Sequence, residues 1–464
     1  MLHRLFGGVS RVLARQYQTY TLEPFHPLPG RFPVWKSPEQ VVEIIKSGNR
    51  IFVHGGAATP TPLLKALVEH CVGNKINNLR LYHLHTLGET PWTAPEFKDV
   101  IRSTCFHINE TMREVVNDGR ADYTAVFSSE IPIVFRKGLI PLDFAIIQVS
   151  VPDHQGYCSL GTNVDCTRAA LCTAKHIIGL CNPNMPRTFG DGIIHESHFN
   201  SLVYDCFSLP EVVPAQLDDR LEKVGQLVAE NLVEDGATLQ IGMGVAPLAV
   251  TAKLKEHREL GIHTEIFGDY VIDLIENNVV TNSRKTVFSG KVSATMCAGT
   301  QQLYQYIDDN PLFLLCAVEY NNDTAVIRLN PKLTSIHSCI EADITGQVCA
   351  DSVANEFYGG FGGQVDFVRA ANLCSDGAGR AIFALTSTTK NGASKIVPVL
   401  RKGSGVVTTR AEINYLVTEY GIAQLRGKNL RQRAFEMIKI AHPEHRESLE
   451  EAAFRTLHTM PSRD

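Results

Sequence analysis

The sequence predicts an α/β protein. Two tandem, related open α/β domains with mostly parallel sheets are expected, with an active site in the cleft between them. Three observations carry that prediction. Apolar residues at helical spacing alternate with short β-like runs. The order helix, strand, glycine turn, helix, strand occurs twice, with the turns in register. The chain has 464 residues and 44% hydrophobic content, enough for two or three domains with large cores.

Before the first domain comes MLHRLFGGVSRVLARQYQTY, residues 1–20. It carries Arg4, Arg11 and Arg15, and the first acid is Glu23. Leu2, Leu5, Phe6, Val9 and Val12 fall at near-helical spacing. An amphipathic, Arg-rich segment without a long apolar centre reads as a mitochondrial transit peptide, which predicts a matrix protein.

The first repeat runs from Ser37 to Leu84, the second from Leu217 to Phe267. Val41, Val42 and Ile45 open one with a helical pattern; Leu221, Val224, Leu227 and Val228 open the other. Gly48 and Gly236 are expected to end those helices. The runs RIFVH and TLQIG follow as strands. Gly55-Gly56 and Gly242-Met243-Gly244 then turn the chain. Pro62 and Pro247 stand near the start of a second helix, where a missing N–H is harmless. LRLYHL and IHTEIF close the units as second strands. PAQLD, around Pro214, is the expected linker, so the domains are predicted at 22–213 and 214–464.

This plan gives Glu265 a place. It is expected at the end of the second strand of the second domain, before the turn signal Gly268-Asp269. Ligands of open α/β sheets bind outside the carboxyl ends of strands. The Gly242 turn ends the preceding strand and should share that rim. A strand carboxylate most often faces water or pairs with a lysine. Here Ile262, Ile266 and Phe267 make an apolar setting that favours a functional role. A carboxylate can attack an acyl group and split one hard transfer into two easier steps. That chemistry needs N–H donors at the developing oxyanion.

Two glycine loops can supply them. IGMGVAP, Ile241 to Pro247, follows a strand and opens a helix, so its N–H groups favour anions. It lacks the third glycine of the dinucleotide fingerprint. YGGFGGQVDF, Tyr358 to Phe367, has four glycines in five positions, more than a turn needs, and lets backbone approach a ligand.

Other chemistries find no support. There is no GxSxG elbow and no Walker A sequence. His195-Glu196-Ser197-His198 misses the HExxH spacing, and no metal site is expected. The twelve cysteines include no CxxC pair and read as small buried apolar residues. Charged residues are 20% and net charge is −5, so no basic field suits a nucleic acid. No apolar run approaches the ~18 residues a bilayer span needs, so no membrane partner is expected.

Several long motifs, in order, carry a resemblance. They are IIQVSVPDHQGYCSLGTNVD (Ile146 to Asp165), NPNMPRTFGD (Asn182 to Asp191), GIHTEIFGD (Gly261 to Asp269), GGFGGQVDF (Gly359 to Phe367) and VTEYGIAQLRGK (Val417 to Lys428). With them the chain resembles the acetyl-CoA hydrolase/transferase family, a branch of the class I CoA-transferases. It is most similar to the 4-hydroxybutyrate and butyryl-CoA:acetate transferases. The resemblance covers nearly the whole chain beyond the leader.

It implies that Glu265 is a nucleophile that forms an acyl-glutamyl anhydride and then a glutamyl-CoA thioester. It implies a CoA-binding loop at Gly242, Met243, Gly244, Val245 and Ala246, and an oxyanion loop at Gly362 and Gly363. Lys390, in STTKNG, is a further implied CoA contact. Coenzyme A is then a substrate, alongside a short-chain carboxylate such as 4-hydroxybutyrate or butyrate, with no tightly bound cofactor. A homodimer is expected. An acetyl-CoA hydrolase on the same scaffold is the nearest rival, separated by release of free CoA without an acceptor acid. A non-catalytic CoA-binding regulator would need the glycine loops but not Glu265.

Overall fold

The computed structural model describes residues 23–213 and 215–464. The Arg-rich leader and Pro214, at the expected linker, lie outside the described residues.

An eight-stranded sheet takes its strands from the first half of the chain. From one edge the order is Val34–Trp35, Ser201–Tyr204, His176–Cys181, Phe144–Val149, Arg50–Val53, Leu79–His83, Ile101–Cys105 and Asp122–Tyr123. Every pairing in it is parallel. Parallel central strands are covered on both faces and read as continuous apolar runs. Phe144–Val149, FAIIQV, is such a run and is buried throughout. Successive side chains point to opposite faces. Ile146 therefore packs with Ile51, Leu67 and Ile178, while Ala145 and Ile147 pack with Phe52 and Phe135.

A six-stranded sheet belongs to the second half. Its order is Gly261–Ile262, Thr238–Ile241, Thr334–Ser338, Arg380–Ala384, Tyr415–Thr418 and Gly421–Gln424. It is parallel except for the closing hairpin. The halves are joined rather than merely tethered. Phe189–Gly190, from the first half, pairs with Phe313–Leu315 of the second. One core runs from Phe52 and Ile147 into Ile241, Phe267 and Phe313. The architecture is the two-sheet, mostly parallel α/β fold that the repeat predicts.

Both repeats are present, with two differences. The opening helices, Pro38–Val42 and Asp219–Leu232, start at side-chain caps from Ser37 and Asp218. They end at Val42 and Leu232, short of the glycines. Gly48 and Gly236, at φ 81° and 73°, form instead the turns leading into the strands. The second difference concerns Glu265. It does not end a strand. It sits at a break between Gly261–Ile262 and Ile266–Phe267, and the latter pair with Met296–Cys297 outside the six-stranded sheet.

The cysteines are unbridged, and all except Cys172 and Cys206 are buried. They fill the core as small apolar groups do.

Candidate active site

The break is held by long-range hydrogen bonds. The carbonyl of Glu265 accepts from Thr295 N at 2.9 Å, Thr295 Oγ1 at 2.9 Å and Met296 N at 3.2 Å. Its neighbour Thr264 is fixed on two sides. Thr264 Oγ1 donates to the carbonyl of Ile241 at 3.1 Å, and Asn321 Nδ2 donates to the carbonyl of Thr264 at 2.8 Å. His263 is a buried strut. Its Nδ1 lies 3.0 Å from Asn330 Nδ2 and its Nε2 lies 2.7 Å from the carbonyl of Asn321. An amide donor at Nδ1 and a carbonyl at Nε2 require the neutral ring protonated at Nε2. Burial, helped by the Lys285 charge, pushes this ring down to about 3.

With its backbone pinned, Glu265 aims its side chain at the second glycine loop. Gly363 N–H donates to Glu265 Oε2 at 2.8 Å. Gly363 also caps the helix Gln364–Asn372, whose first turn favours a negative charge. A side chain at Gly363 would have to displace Glu265 and Asn322. A Cβ there would lie 2.5 Å from both Glu265 Oε2 and Asn322 Nδ2. Gly362 has φ 54°, a left-handed conformation suited to glycine, with more room around it. Its carbonyl accepts from Ser128 N at 3.0 Å.

Three polar side chains that sequence reasoning passed over complete the surroundings. Asn322 is fully buried, and its Oδ1 accepts from Asn321 Nδ2 at 3.1 Å. That leaves Nδ2 on the side of the carboxylate, close enough to favour its ionised form but outside hydrogen-bonding geometry. A buried amide donor beside a carboxylate is suited to stabilise negative charge that develops there. Ser128 comes from the first half, and its hydroxyl favours the ionised form of Glu265. Asp366 accepts from Ser129 Oγ at 2.9 Å, again across the halves. No spacing rule marks these residues; only the folded approach of distant segments does.

Burial raises the pKa of Glu265. The Asp165 charge adds to that, while Ser128, the Gly363 N–H and the Asn322 amide oppose it. Burial pushes Asp366 up to about 7, with Ser129 opposing and the Glu265 charge adding. The charge of Glu265 thus favours the protonated form of Asp366. A partly buried carboxylate with donors fixed beside it is arranged for nucleophilic attack.

The first glycine loop stands at the same rim. Gly242, Met243 and Gly244 follow the strand Thr238–Ile241, whose Ile241 is tied to Thr264. Gly244, at φ 121°, has no space for a Cβ against Ser338 Oγ at 2.5 Å. Met243 and Gly244 are open to solvent, while Val245 and Ala246 turn into the helix Val245–Thr251. Lys390 is exposed on the turn Thr389 to Gly392. No contact ties it to Glu265.

Comparison with known proteins places the chain in a family. The acetyl-CoA hydrolase/transferase N-terminal domain matches residues 33–214, and the C-terminal domain of the same family matches residues 299–453. The succinyl-CoA:acetate/propanoyl-CoA:succinate CoA transferase of Fasciola hepatica is 48% identical over 441 residues, 95% of this chain and 92% of that protein. The chain belongs to the acetyl-CoA hydrolase/transferase family. By family it is a CoA-transferase. The 4-hydroxybutyrate coenzyme A transferase of Clostridium kluyveri is 41% identical, covering 89% of this chain and 95% of that one. The crystal structure of a 4-hydroxybutyrate CoA-transferase from Porphyromonas gingivalis superimposes with a TM-score of 0.78 at 35% identity, covering 91% and 98% of the two chains.

Proposed function

We propose that this chain moves CoA from an acyl-CoA, acetyl-CoA among them, to a short-chain acid such as 4-hydroxybutyrate or butyrate, through a covalent intermediate on Glu265. The carboxylate of Glu265 attacks the thioester carbonyl. The tetrahedral intermediate collapses with loss of CoA thiolate and leaves an acyl-glutamyl anhydride. The thiolate then attacks the side-chain carbonyl of Glu265 and expels the first acid as a carboxylate. The glutamyl-CoA thioester remains. An acceptor carboxylate reverses these steps and leaves as its own CoA ester.

One observation carries this reading. The Gly363 N–H is bonded to Glu265 Oε2 with the unpaired Asn322 Nδ2 beside it. Negative charge passes through this point in each step, and preorganised donors are worth most there. Buried Phe267 and half-buried Ile266 follow Glu265 in the chain and make its surroundings apolar, which disfavours water. That favours transfer over hydrolysis.

Intact-protein mass spectrometry after incubation with acetyl-CoA tests the reading. A CoA adduct mapping to Glu265 supports it. Rapid release of free CoA without acceptor acid, and no adduct, would favour the hydrolase. The Arg-rich leader supports import into the mitochondrial matrix, which N-terminal sequencing of protein recovered from mitochondria tests. A homodimer is the proposed assembly, measurable by sedimentation.

A further inference from the structure

His107 Nδ1 and Tyr123 OH, from the first half, are buried polar atoms without a hydrogen-bond partner. His85 and His107 lie two residues beyond the strands Leu79–His83 and Ile101–Cys105, and their ring centroids are 4.3 Å apart. The glycine loop faces them without side chains. A Cβ on Gly360 would lie 3.0 Å from His107 Nδ1 and 3.3 Å from Tyr123 OH. The point where a Gly362 side chain would begin is 3.8 Å from Glu265 Oε2 and 4.0 Å from His107 Nδ1. Glu265 and His107 thus look onto the same small space, with His85 packed behind His107. An acyl chain of about four carbons spans it.

We propose that His85 and His107 select acyl chains of about four carbons that end in an oxygen, a hydroxyl or a carboxylate, over plain alkyl chains of equal length. This deepens the proposed function and rests on Glu265 being the nucleophile. A polar atom buried without a partner is costly, and a ligand oxygen removes that cost where a methyl group cannot. Both rings are neutral. Burial pushes His107 down to about 4, with the Arg113 charge adding. Burial takes His85 well below the ordinary value; His107 and His83 add to this and Asp165 opposes it. Tyr123, pushed up to about 12 by burial, keeps its proton. A neutral imidazole offers one donor and one acceptor, which suits a hydroxyl. A distal carboxylate would instead draw a proton onto the pair, so a dicarboxylate should bind with proton uptake and more weakly as pH rises.

The experiment measures kcat/KM with acetyl-CoA as donor and butyrate, 4-hydroxybutyrate and succinate as acceptors, from about pH 6 to about pH 8. The wild type should favour at least one oxygenated acid over butyrate by roughly tenfold or more. His85→Leu and His107→Leu should bring that ratio near unity, and His85→Gln and His107→Gln should restore part of it. A hydroxyl partner shows as a preference for 4-hydroxybutyrate with a KM flat in pH. A carboxylate partner shows as a succinate KM that climbs with pH. Equal use of the three acids, a preference for butyrate, or a proportional loss on all three in the Leu variants overturns the proposal. Should the Leu variants fail to fold, the wild-type ratio and the Gln variants decide it. Failure of the wild type to form the Glu265 adduct would overturn the function itself; an adduct without selectivity overturns only this inference.

Discussion

Ile51 pairs with Leu81 in the first repeat, and Leu239 pairs with Ile262 in the second. Three residues further on stand Leu84 and Glu265. In the first repeat the strand stays between two parallel neighbours as far as Tyr82, His83 still pairs with Cys105, and Leu84 is buried in the core. In the second it pairs for two residues and then leaves the sheet. His263 bridges to Ser293, and Ile266–Phe267 join Met296–Cys297. A strand that keeps both neighbours must alternate its side chains and spend its backbone groups on the ladder. A strand that departs can give one carbonyl to three outside donors and turn its side chain toward another segment. The same local plan therefore makes scaffold in one half and, in the other, frees the carboxylate proposed as the nucleophile.

The largest expected effect comes from the group that separates the two units. Glu265→Gln keeps an acceptor for the Gly363 N–H but removes the nucleophile. CoA exchange should fall by at least about 10³-fold, with no CoA adduct and little change in melting temperature. Tyr82→Phe, inside the unbroken strand, should leave exchange within about threefold, because it touches only scaffold. Substantial exchange by carefully purified Glu265→Gln would sink the assignment.

The glycines sharpen the same contrast. Gly363 has φ −92°, which alanine adopts freely, but its Cβ would press on Glu265 and Asn322. Gly363→Ala should lose about 10²–10³ in rate, the scale of one oxyanion donor, while folding normally. Gly55→Ala would set a Cβ 2.6 Å from the carbonyl of His85. It should lower stability by about 1–3 kcal/mol, read as a fall in melting temperature. Equal losses of rate and stability at both sites would mean the halves do not divide the work.

The acid–base behaviour gives an intermediate test. In the proposed mechanism Glu265 attacks as the anion, and burial raises its pKa, so the rate should fall as pH drops through that raised value. Asp366 works in the opposite sense for stability. Its folded pKa of about 7 exceeds the ordinary 3.8. The folded state therefore holds this proton more tightly than the unfolded chain, and stability is lost as pH rises between those values. Asp366→Asn keeps an acceptor for Ser129 and removes that loss. It should stabilise the protein above about pH 7 by up to ~4 kcal/mol, with little gain near pH 4, and should move the acid limb of the rate profile downward. Chemical denaturation at two pH values checks it.

The sequence revealed the repeat, the parallel sheets and the segment that carries the nucleophile, because each is written in local signals. Glycines, prolines and apolar spacing act over a few residues. It did not reveal the break at Glu265, since Ile266 and Phe267 continue the apolar pattern of a strand. What breaks it is Thr295 and Met296, thirty residues on, and nothing near Glu265 announces them. Asn322, Ser128 and Asp366 were hidden for the same reason. An Asn-Asn pair, a Ser-Ser pair and one aspartate after a glycine loop are ordinary until folding brings them to one carboxylate. The glycine loop was visible as a group; that Gly363 rather than Gly362 donates to Glu265 depends on which N–H faces the break.

The smallest effect concerns how firmly the break is held. Thr295 gives the carbonyl of Glu265 two of its three hydrogen bonds, one from N and one from Oγ1. Thr295→Val removes the hydroxyl and keeps the shape. The carbonyl retains Thr295 N and Met296 N, so no buried group is left unpaired. Thr295 also accepts from Val164 N and Asp165 N through its own carbonyl, and valine keeps those bonds. One neutral hydrogen bond is worth about 0.5–1.5 kcal/mol. If the hydroxyl steadies the carboxylate, the rate should fall roughly threefold to tenfold, in kcat more than KM, with a small drop in melting temperature. Thr104→Val, in the unbroken sheet of the first half, should stay within about twofold. A loss beyond about 100-fold would mean that the hydroxyl alone keeps Glu265 in reach of the thioester. No change at all would mean that the backbone pairing of Ile266–Phe267 with Met296–Cys297 suffices to hold the break open.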